Sequence, residues 1–448
     1  MLRKLVLPLA VLGLALSYTA LRADNQALKV DLRLDRPVLH AHGNQDVVLR
    51  LRLEGLRRQA RHRPPLNLVL VVDRSGSMSG EKMENAKLGA REAVRRLGSQ
   101  DTLALVGFDD QVRVFLPAQR LQRPEAAYEA IDALQPGGST ALYAGMAEGI
   151  KQARRFAGEG RVSRIILLSD GLANVGPQSP AAIAQLGRQA GQAGIAISTL
   201  GLGLGYDEDL MTRLAQASDG NHAFVENATD LARILDHELG DALAVAVRDI
   251  VIEIHLASGV HLKRSLGRDL KVDGQILSLH LNQVAEGQQK LLMLDLQAPE
   301  GSAGSSADLA QVSVVGEDAS TSKRETFTQP LSVSYSSDED AVTKSTDEGV
   351  VADAATARAN EARSEAIMLR DAGQTRQASA LLKNEAAKLK AMAGGLGAAN
   401  APAAAQANAF SDDLEKESGE MAAPSADWNA TRKEMKQKAY SKSNQQTY

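Results

Sequence analysis

The segment VVDRSGSMSGEK, Val71 to Lys82, puts one carboxylate and two hydroxyls on a tight, glycine-containing loop. An apolar run, LNLVLVV, leads directly into Asp73, and Ser75 and Ser77 follow at alternate positions. On a loop that leaves a strand, alternate residues can turn their side chains toward one point. Ligands that are all oxygen suit a hard cation, Mg²⁺ or Mn²⁺, rather than zinc. Two other segments offer partners. LLSDG sets Asp170 directly after the apolar run 164–169, and PGGSTALYAG sets Thr140 at a Gly-rich turn that opens a helical pattern. In an open parallel sheet, the loops at the carboxyl ends of the strands form the ligand-binding edge. Asp73, Ser75, Ser77, Thr140 and Asp170 would then make an oxygen cage with only two carboxylates. Such a cage leaves a cation electrophilic, and Mg²⁺ keeps water at some of its six positions. An acidic side chain from another protein can take one of those positions.

The elements needed to position these loops are legible. Over 66–237, near-continuous apolar strands alternate with helical patterns: LNLVLVVD, then GEKMENAKLGAREAVRRLG; SRIILLSD, then PAAIAQLGRQAGQA; GIAISTLGLG, then DEDLMTRLAQASDG. This predicts an α/β unit with a doubly wound, mostly parallel sheet covered on both faces. TLALVGF and VRVFLP read as a strand pair turning at Asp109-Asp110. On either side the period changes to two. LKVDLRL and DVVLRLRL within 27–62, and VRDIVIEIHL, QILSLHL, QKLLMLDLQ, AQVSVVG and LSVSYS within 245–335, predict antiparallel strands of a β-sandwich. The strands of 27–62 are expected to pair with those of 245–335, which makes the α/β unit an insertion.

The remaining segments follow from composition. Residues 336–350 are acidic and Ser-rich and read as a linker. Residues 351–393 are Ala-rich and read as a helical hairpin broken at Gly373. Ala362, Ala366, Leu369, Gly373, Ala378 and Leu382 also resemble the turn of a tetratricopeptide repeat, but a single copy has no stacked neighbour to bury its faces. Residues 394–448 are small and polar and predict a disordered tail. At the N-terminus, Arg3 and Lys4 precede the apolar stretch Leu5 to Leu16. Residues 1–23 therefore read as an export signal, or as an uncleaved anchor tethering the chain to a membrane. The expected location is the periplasm or cell envelope.

The 448 residues carry a net charge of -4, so no basic field recruits nucleic acid. Hydrophobic residues make up 44% and aromatic residues 3%, so the cores must be built from Leu, Val, Ile and Ala. The sequence has no cysteine, which excludes disulfides, thiol catalysis and thiolate metal sites.

The five oxygen-bearing positions resemble the metal-ion-dependent adhesion site (MIDAS) of von Willebrand factor A domains. Asp73-x-Ser75-x-Ser77, Thr140 and Asp170 match its five parts in order. The resemblance implies that the hydroxyls of Ser75, Ser77 and Thr140 coordinate a cation, with Asp73 and Asp170 doing so directly or through water. Mg²⁺ is the expected ion, with Mn²⁺ or Ca²⁺ as alternatives. LNLVLVVDRSGSMSGEKMENAK is also similar to bacterial exported proteins related to inter-alpha-trypsin inhibitor heavy chains and calcium-activated chloride channel-like proteins. This implies a non-enzymatic protein-binding module whose cation bridges to a Glu or Asp of a partner.

Other chemistries fit less well. A haloacid dehalogenase phosphatase uses Asp-x-Asp, but position 75 is Ser. The loop lacks the acidic set of a calcium EF-hand. GLGLGYD, Gly201 to Asp207, has no Lys-Ser/Thr of a phosphate loop. His222 has no nucleophile-elbow serine to serve. His40 and His42 lack ligand-spaced partners. A helix cap by Ser77 or Ser79 explains one serine but not Thr140 and Asp170. Two further readings stay open: a metal-assisted hydrolase, and a scaffold that binds through its C-terminal helices around a structural metal site.

Overall fold

A computed structural model describes residues 26–446 except Asn44, 58–62, Glu159 and 422–424. The N-terminal stretch 1–23, read above as signal or anchor, lies outside these residues. The chain opens with strands β1 (Leu28–Leu34), β2 (Val38–His40) and β3 (Gln45–Gly55). The α/β unit follows as β4 (Leu66–Asp73), α1 (Glu81–Arg96), β5 (Thr102–Phe108), β6 (Val112–Arg120), α2 (Glu125–Asp132), α3 (Leu142–Arg154), β7 (Val162–Ser169), α4 (Pro180–Gly191), β8 (Ile195–Leu202), α5 (Glu208–Ala217), β9 (His222–Val225) and α6 (Ala228–Leu243). Then come β10 (Val245–Leu256), β11 (His261–Leu266), β12 (Lys271–Asp273), β13 (Ile276–Ala285), β14 (Gln289–Ala298), β15 (Ser306–Asp318) and β16 (Arg324–Ser336). Helices α7 (Glu339–Lys344), α8 (Glu348–Asp371), α9 (Thr375–Gly395), α10 (Ala401–Glu420) and α11 (Ser425–Asn444) complete it.

The α/β sheet has the order β6-β5-β4-β7-β8-β9. Only β6 runs antiparallel to its neighbour; the others pair in parallel. Side chains alternate across the sheet, so its central strands must be apolar on both faces. Leu66, Leu68, Leu70 and Val72 of β4 pack with α1 and α6 through Ala86, Ala90, Leu231 and Leu235. Val69 and Val71 pack on the other face with α3, α4 and α5 through Leu142, Met146, Ile183 and Leu214. Helix α3 lies very close to the sheet, because a methyl built on Gly149 would stand 2.6 Å from Val71 Cγ2.

The flanking strands form two further sheets, β1-β3-β14-β11 and β12-β13-β10-β15-β16-β2. β3 pairs with both β1 and β14, so strands from before and after the α/β unit share one sheet. The α/β unit is thus inserted in a β-sandwich. Period-two alternation makes the core: Leu49, Leu51 and Leu53 of β3 face Ile250, Ile252 and Ile254 of β10 within one apolar cluster. The other face of β3 carries Arg50 and Arg52, both paired at 2.7 Å with Asp353 of α8.

The C-terminal region differs from the sequence reading. The expected linker 336–350 contains α7 and the start of α8. The expected disordered tail over 394–448 instead forms α10 and α11, and the hairpin α8–α9 becomes part of a four-helix unit. Its core is small: Ala359, Ala366, Ala378, Ala386, Leu382, Leu389, Phe410, Leu414 and Met435. Charged anchors add what apolar density lacks. Arg363 of α8, 2% exposed, donates to Glu417 of α10 at 2.8 Å and lies over the Phe410 ring. Helix α11 covers the edge of the α/β sheet. The Phe224 amide donates to Gln437 Oε1 at 3.1 Å, and the Tyr440 hydroxyl donates to the Gly220 carbonyl at 2.7 Å. Lys433 and Arg432 pair with Glu208, and Lys436 with Asp209, at the start of α5. Those partners lie more than two hundred residues away in sequence, so local composition could not announce them. Arg363→Ala should lower stability, by at most about 3–5 kcal/mol, because it leaves the buried Glu417 with only the longer 3.4 Å contact to Lys438. Denaturant unfolding measures this, and an unchanged midpoint would mean the tail does not pack.

Candidate functional site

The apolar run of β4 ends when the chain leaves the sheet at Asp73, and β7 ends beside it at Ser169 and Asp170. After Asp73 the chain makes a short 3-10 turn, Gly76–Met78, pinned by the fully buried Met78 side chain, before α1 starts. Thr140 sits just before α3. Backbone bonds lash the loops together. Gly76 N–H donates to the Gly138 carbonyl at 3.0 Å, Gly137 N–H to the Arg74 carbonyl at 2.7 Å, and Ala141 N–H to the Asp109 carbonyl at 2.7 Å. Asn174 fixes the Thr140 backbone from the far side, accepting its N–H at 2.7 Å and donating to its carbonyl at 3.1 Å.

All five residues singled out in the sequence meet at this edge. Asp73, Ser75, Thr140 and Asp170 are buried, and Ser77 is exposed. Ser75 Oγ and Ser77 Oγ lie 3.1 Å apart, and Ser77 donates to Asp170 Oδ1 at 2.7 Å. The Ser75 amide donates to Asp73 Oδ1 at 2.8 Å. A methyl built on Gly171 would stand 3.0 Å from Thr140 Oγ1 and 3.4 Å from Asp73 Oδ2, so the absence of a side chain there keeps these two oxygens facing one opening. Asp109 does not join the cage. It pairs with Arg74 at 2.8 Å and shapes the neighbouring turn.

Two participants were not singled out by the sequence reading. Ser169 donates to Asp73 Oδ2 at 2.5 Å, and the Lys82 ammonium donates to Asp170 Oδ2. Both lie inside the quoted motifs, LLSDG and SGSMSGEK, so proximity in sequence could have flagged them. Burial pushes the Asp73 carboxyl above its usual range; the bonds from Ser169 and Ser75 oppose this, and the Asp170 charge adds to it. Among the described residues no group of three or more His, Cys, Asp or Glu side chains could hold a metal. Any ion at the cage would therefore rest on two carboxylates and three hydroxyls, a donor set suited to a hard cation.

The family model of the von Willebrand factor type A domain matches residues 67–237, the span of the inserted α/β unit. The chain carries a von Willebrand factor type A domain. It is 29% identical to the uncharacterized protein YfbK of Escherichia coli over 212 residues, which cover 47% of this chain and 37% of that one. It is 26% identical to the uncharacterized protein sll0103 of Synechocystis, covering 60% of this chain and 66% of the relative. The matches thus span 37% and 66% of these relatives' lengths. Mouse inter-alpha-trypsin inhibitor heavy chain H2 is 30% identical over 35% of this chain and 17% of its own. Among solved structures, a von Willebrand factor type A protein from Catenulispora acidiphila shares the fold with a TM-score of 0.69, at 17% identity, over 89% of this chain and 90% of that one.

The other sequence candidates stand apart from the cage of the von Willebrand factor type A domain. Gly203 has φ 69°, as the tight turn after β8 requires. His40 and His42 lie at the end of β2 and just past it. His222 is fully buried in edge strand β9. Thr199 Oγ1 donates to the Met211 carbonyl at 3.2 Å, so it accepts from His222 Nδ1 at 2.9 Å. His222 Nε2 then accepts from the Tyr206 hydroxyl at 3.4 Å, and the neutral ring is satisfied on both sides. Burial, with Lys433 nearby, lowers its pKa to about 3. The folded state therefore resists a proton that the unfolded chain accepts near pH 6.5. This contribution to stability is present above that pH and is lost as pH falls toward the folded value. Between pH 7 and 5 the wild type should lose about 2 kcal/mol through this residue, and His222→Gln should remove that loss. Urea unfolding at the two pH values checks it; equal losses would mean the ring is not held neutral.

Proposed function

We propose that this von Willebrand factor type A domain is a cation-dependent protein-binding module of the cell envelope. A divalent cation, Mg²⁺ first with Mn²⁺ or Ca²⁺ as alternatives, would be held by Asp73, Ser75, Ser77, Thr140 and Asp170. When bound, it supplies a Lewis-acidic centre that accepts a carboxylate oxygen from a Glu or Asp of a partner protein. What supports this reading is one observation: five oxygen-bearing side chains from three separate loops turn to the same edge of a doubly covered parallel sheet. Von Willebrand factor type A domains are common protein-interaction modules, which accords with a protein partner. The envelope location and a possible membrane tether rest on the basic and then apolar sequence of residues 1–23.

Binding is favoured over hydrolysis by the partners of the two carboxylates. Asp73 is bonded by Ser169 and the Ser75 amide, and Asp170 by Ser77 and Lys82. The Lys82 nitrogen is engaged as a donor to the Asp170 carboxylate. The sandwich and the helical unit would then hold the binding face at a fixed angle to the rest of the chain.

Titration calorimetry of the purified protein with Mg²⁺ and Mn²⁺ should show one bound cation. Asp73→Ala should abolish binding of that ion while the protein remains folded. Absence of binding by the wild type would sink the proposal.

A further inference from the structure

Both carboxylates of the cage are withdrawn from water, Asp73 at 0% and Asp170 at 1% exposure. Two anions side by side lose hydration and repel each other, so a buried pair needs compensation. Asp73 is met by neutral donors, the Ser75 amide and the Ser169 hydroxyl. Asp170 receives a hydroxyl on Oδ1 and the Lys82 ammonium on Oδ2. The nearby guanidinium of Arg74 is committed elsewhere, to Asp109 at 2.8 Å and to the Gln135 carbonyl at 3.2 Å. Among the described residues, Lys82 therefore brings the full positive charge bonded to the cage.

The way Lys82 reaches the cage matters as much as its charge. Its side chain is 40% exposed, whereas that of Asp170 is 0% exposed. The side chain thus reaches a buried carboxylate from a partly exposed position. Its stem runs past Gly203, where a built methyl would stand 3.6 Å from Cε and 3.9 Å from Nζ. The ammonium holds Asp170 Oδ2, an oxygen of a carboxylate that would help hold a cation in the cage.

We propose that Lys82 is the resident counter-cation of the cage and that a divalent cation must displace it from Asp170. The inference rests on the metal-binding reading above. With no divalent ion present, Lys82 lets two buried carboxylates coexist in a formed site. When the ion enters, the two positive charges compete for one carboxylate, and the ammonium regains its hydration outside. Lys82 thus lowers the affinity of the site for its cation while keeping the empty site organised.

The test is Mg²⁺ titration calorimetry on wild type, Lys82→Met and Lys82→Arg, beside thermal unfolding of all three in EDTA and in saturating Mg²⁺. Lys82→Met should bind Mg²⁺ roughly three- to tenfold more tightly than wild type. Lys82→Arg should lie closer to wild type. In EDTA Lys82→Met should unfold at a lower temperature than wild type, and saturating Mg²⁺ should close that gap. Equal affinities in wild type and Lys82→Met, with both binding, would overturn the competition and leave the metal site standing. Weaker binding by Lys82→Met would overturn it as well, by making Lys82 a support of the bound ion. If none of the three folded proteins binds Mg²⁺, the metal-binding reading itself fails and takes this inference with it.

Discussion

Two carboxylates, Asp73 and Asp170, have to be held almost without water where two neighbouring parallel strands end. The rest of the α/β unit is arranged around that constraint. Strands β4 and β7 are buried along their whole lengths, which leaves their carboxyl ends as the place where polar groups can gather. Serines 75, 77 and 169 provide neutral hydrogen bonds, and Lys82 provides charge. Loop-to-loop backbone bonds then stop the carboxylates from separating, as their mutual repulsion would favour. Gly171 leaves an opening between Thr140 and Asp73 that any side chain would narrow.

The sandwich and the C-terminal helices are bonded to a helix that starts beside this edge. Helix α5 follows the loop that carries Gly205, where a built methyl would stand 2.8 Å from the Asp170 carbonyl. The start of α5 is gripped by Arg432, Lys433 and Lys436 of α11. Just past its end, Asp219 is held by Lys290 of the sandwich at 2.7 Å and accepts the Asn282 amide at 2.9 Å. Insertion of the α/β unit between β3 and β10 adds two covalent connections to these contacts. The sandwich and the C-terminal helices are thereby joined to the α/β unit through α5 and through the chain connections into β4 and out of α6.

Much of this was legible in the sequence, and the reason differs by element. β4, β7 and β8 are mostly apolar on both faces and are followed by helical periods, so their pattern points to a covered parallel sheet. β3 and β10 alternate strictly enough that their inward residues form the sandwich core. The convergence of the five side chains was legible because they stand at or just beyond the ends of apolar strands or beside Gly-containing turns. What escaped was held together by distance in sequence. Helices α10 and α11 are poor in apolar residues, and their order comes from Arg363 with Glu417, Lys433 with Glu208, and Tyr440 with Gly220. Lys82 lies within the helical pattern that follows the loop, and nothing local reveals that its head reaches Asp170.

The most direct test of the cage is where a metal goes. Anomalous diffraction from crystals soaked in Mn²⁺ identifies the ion without reference to activity or to a partner. The account predicts one peak among the side chains of Asp73, Ser75, Ser77, Thr140 and Asp170, with the Lys82 ammonium withdrawn from Asp170. No peak at that edge, or a peak held by other residues while Lys82 keeps its contact with Asp170, would contradict it.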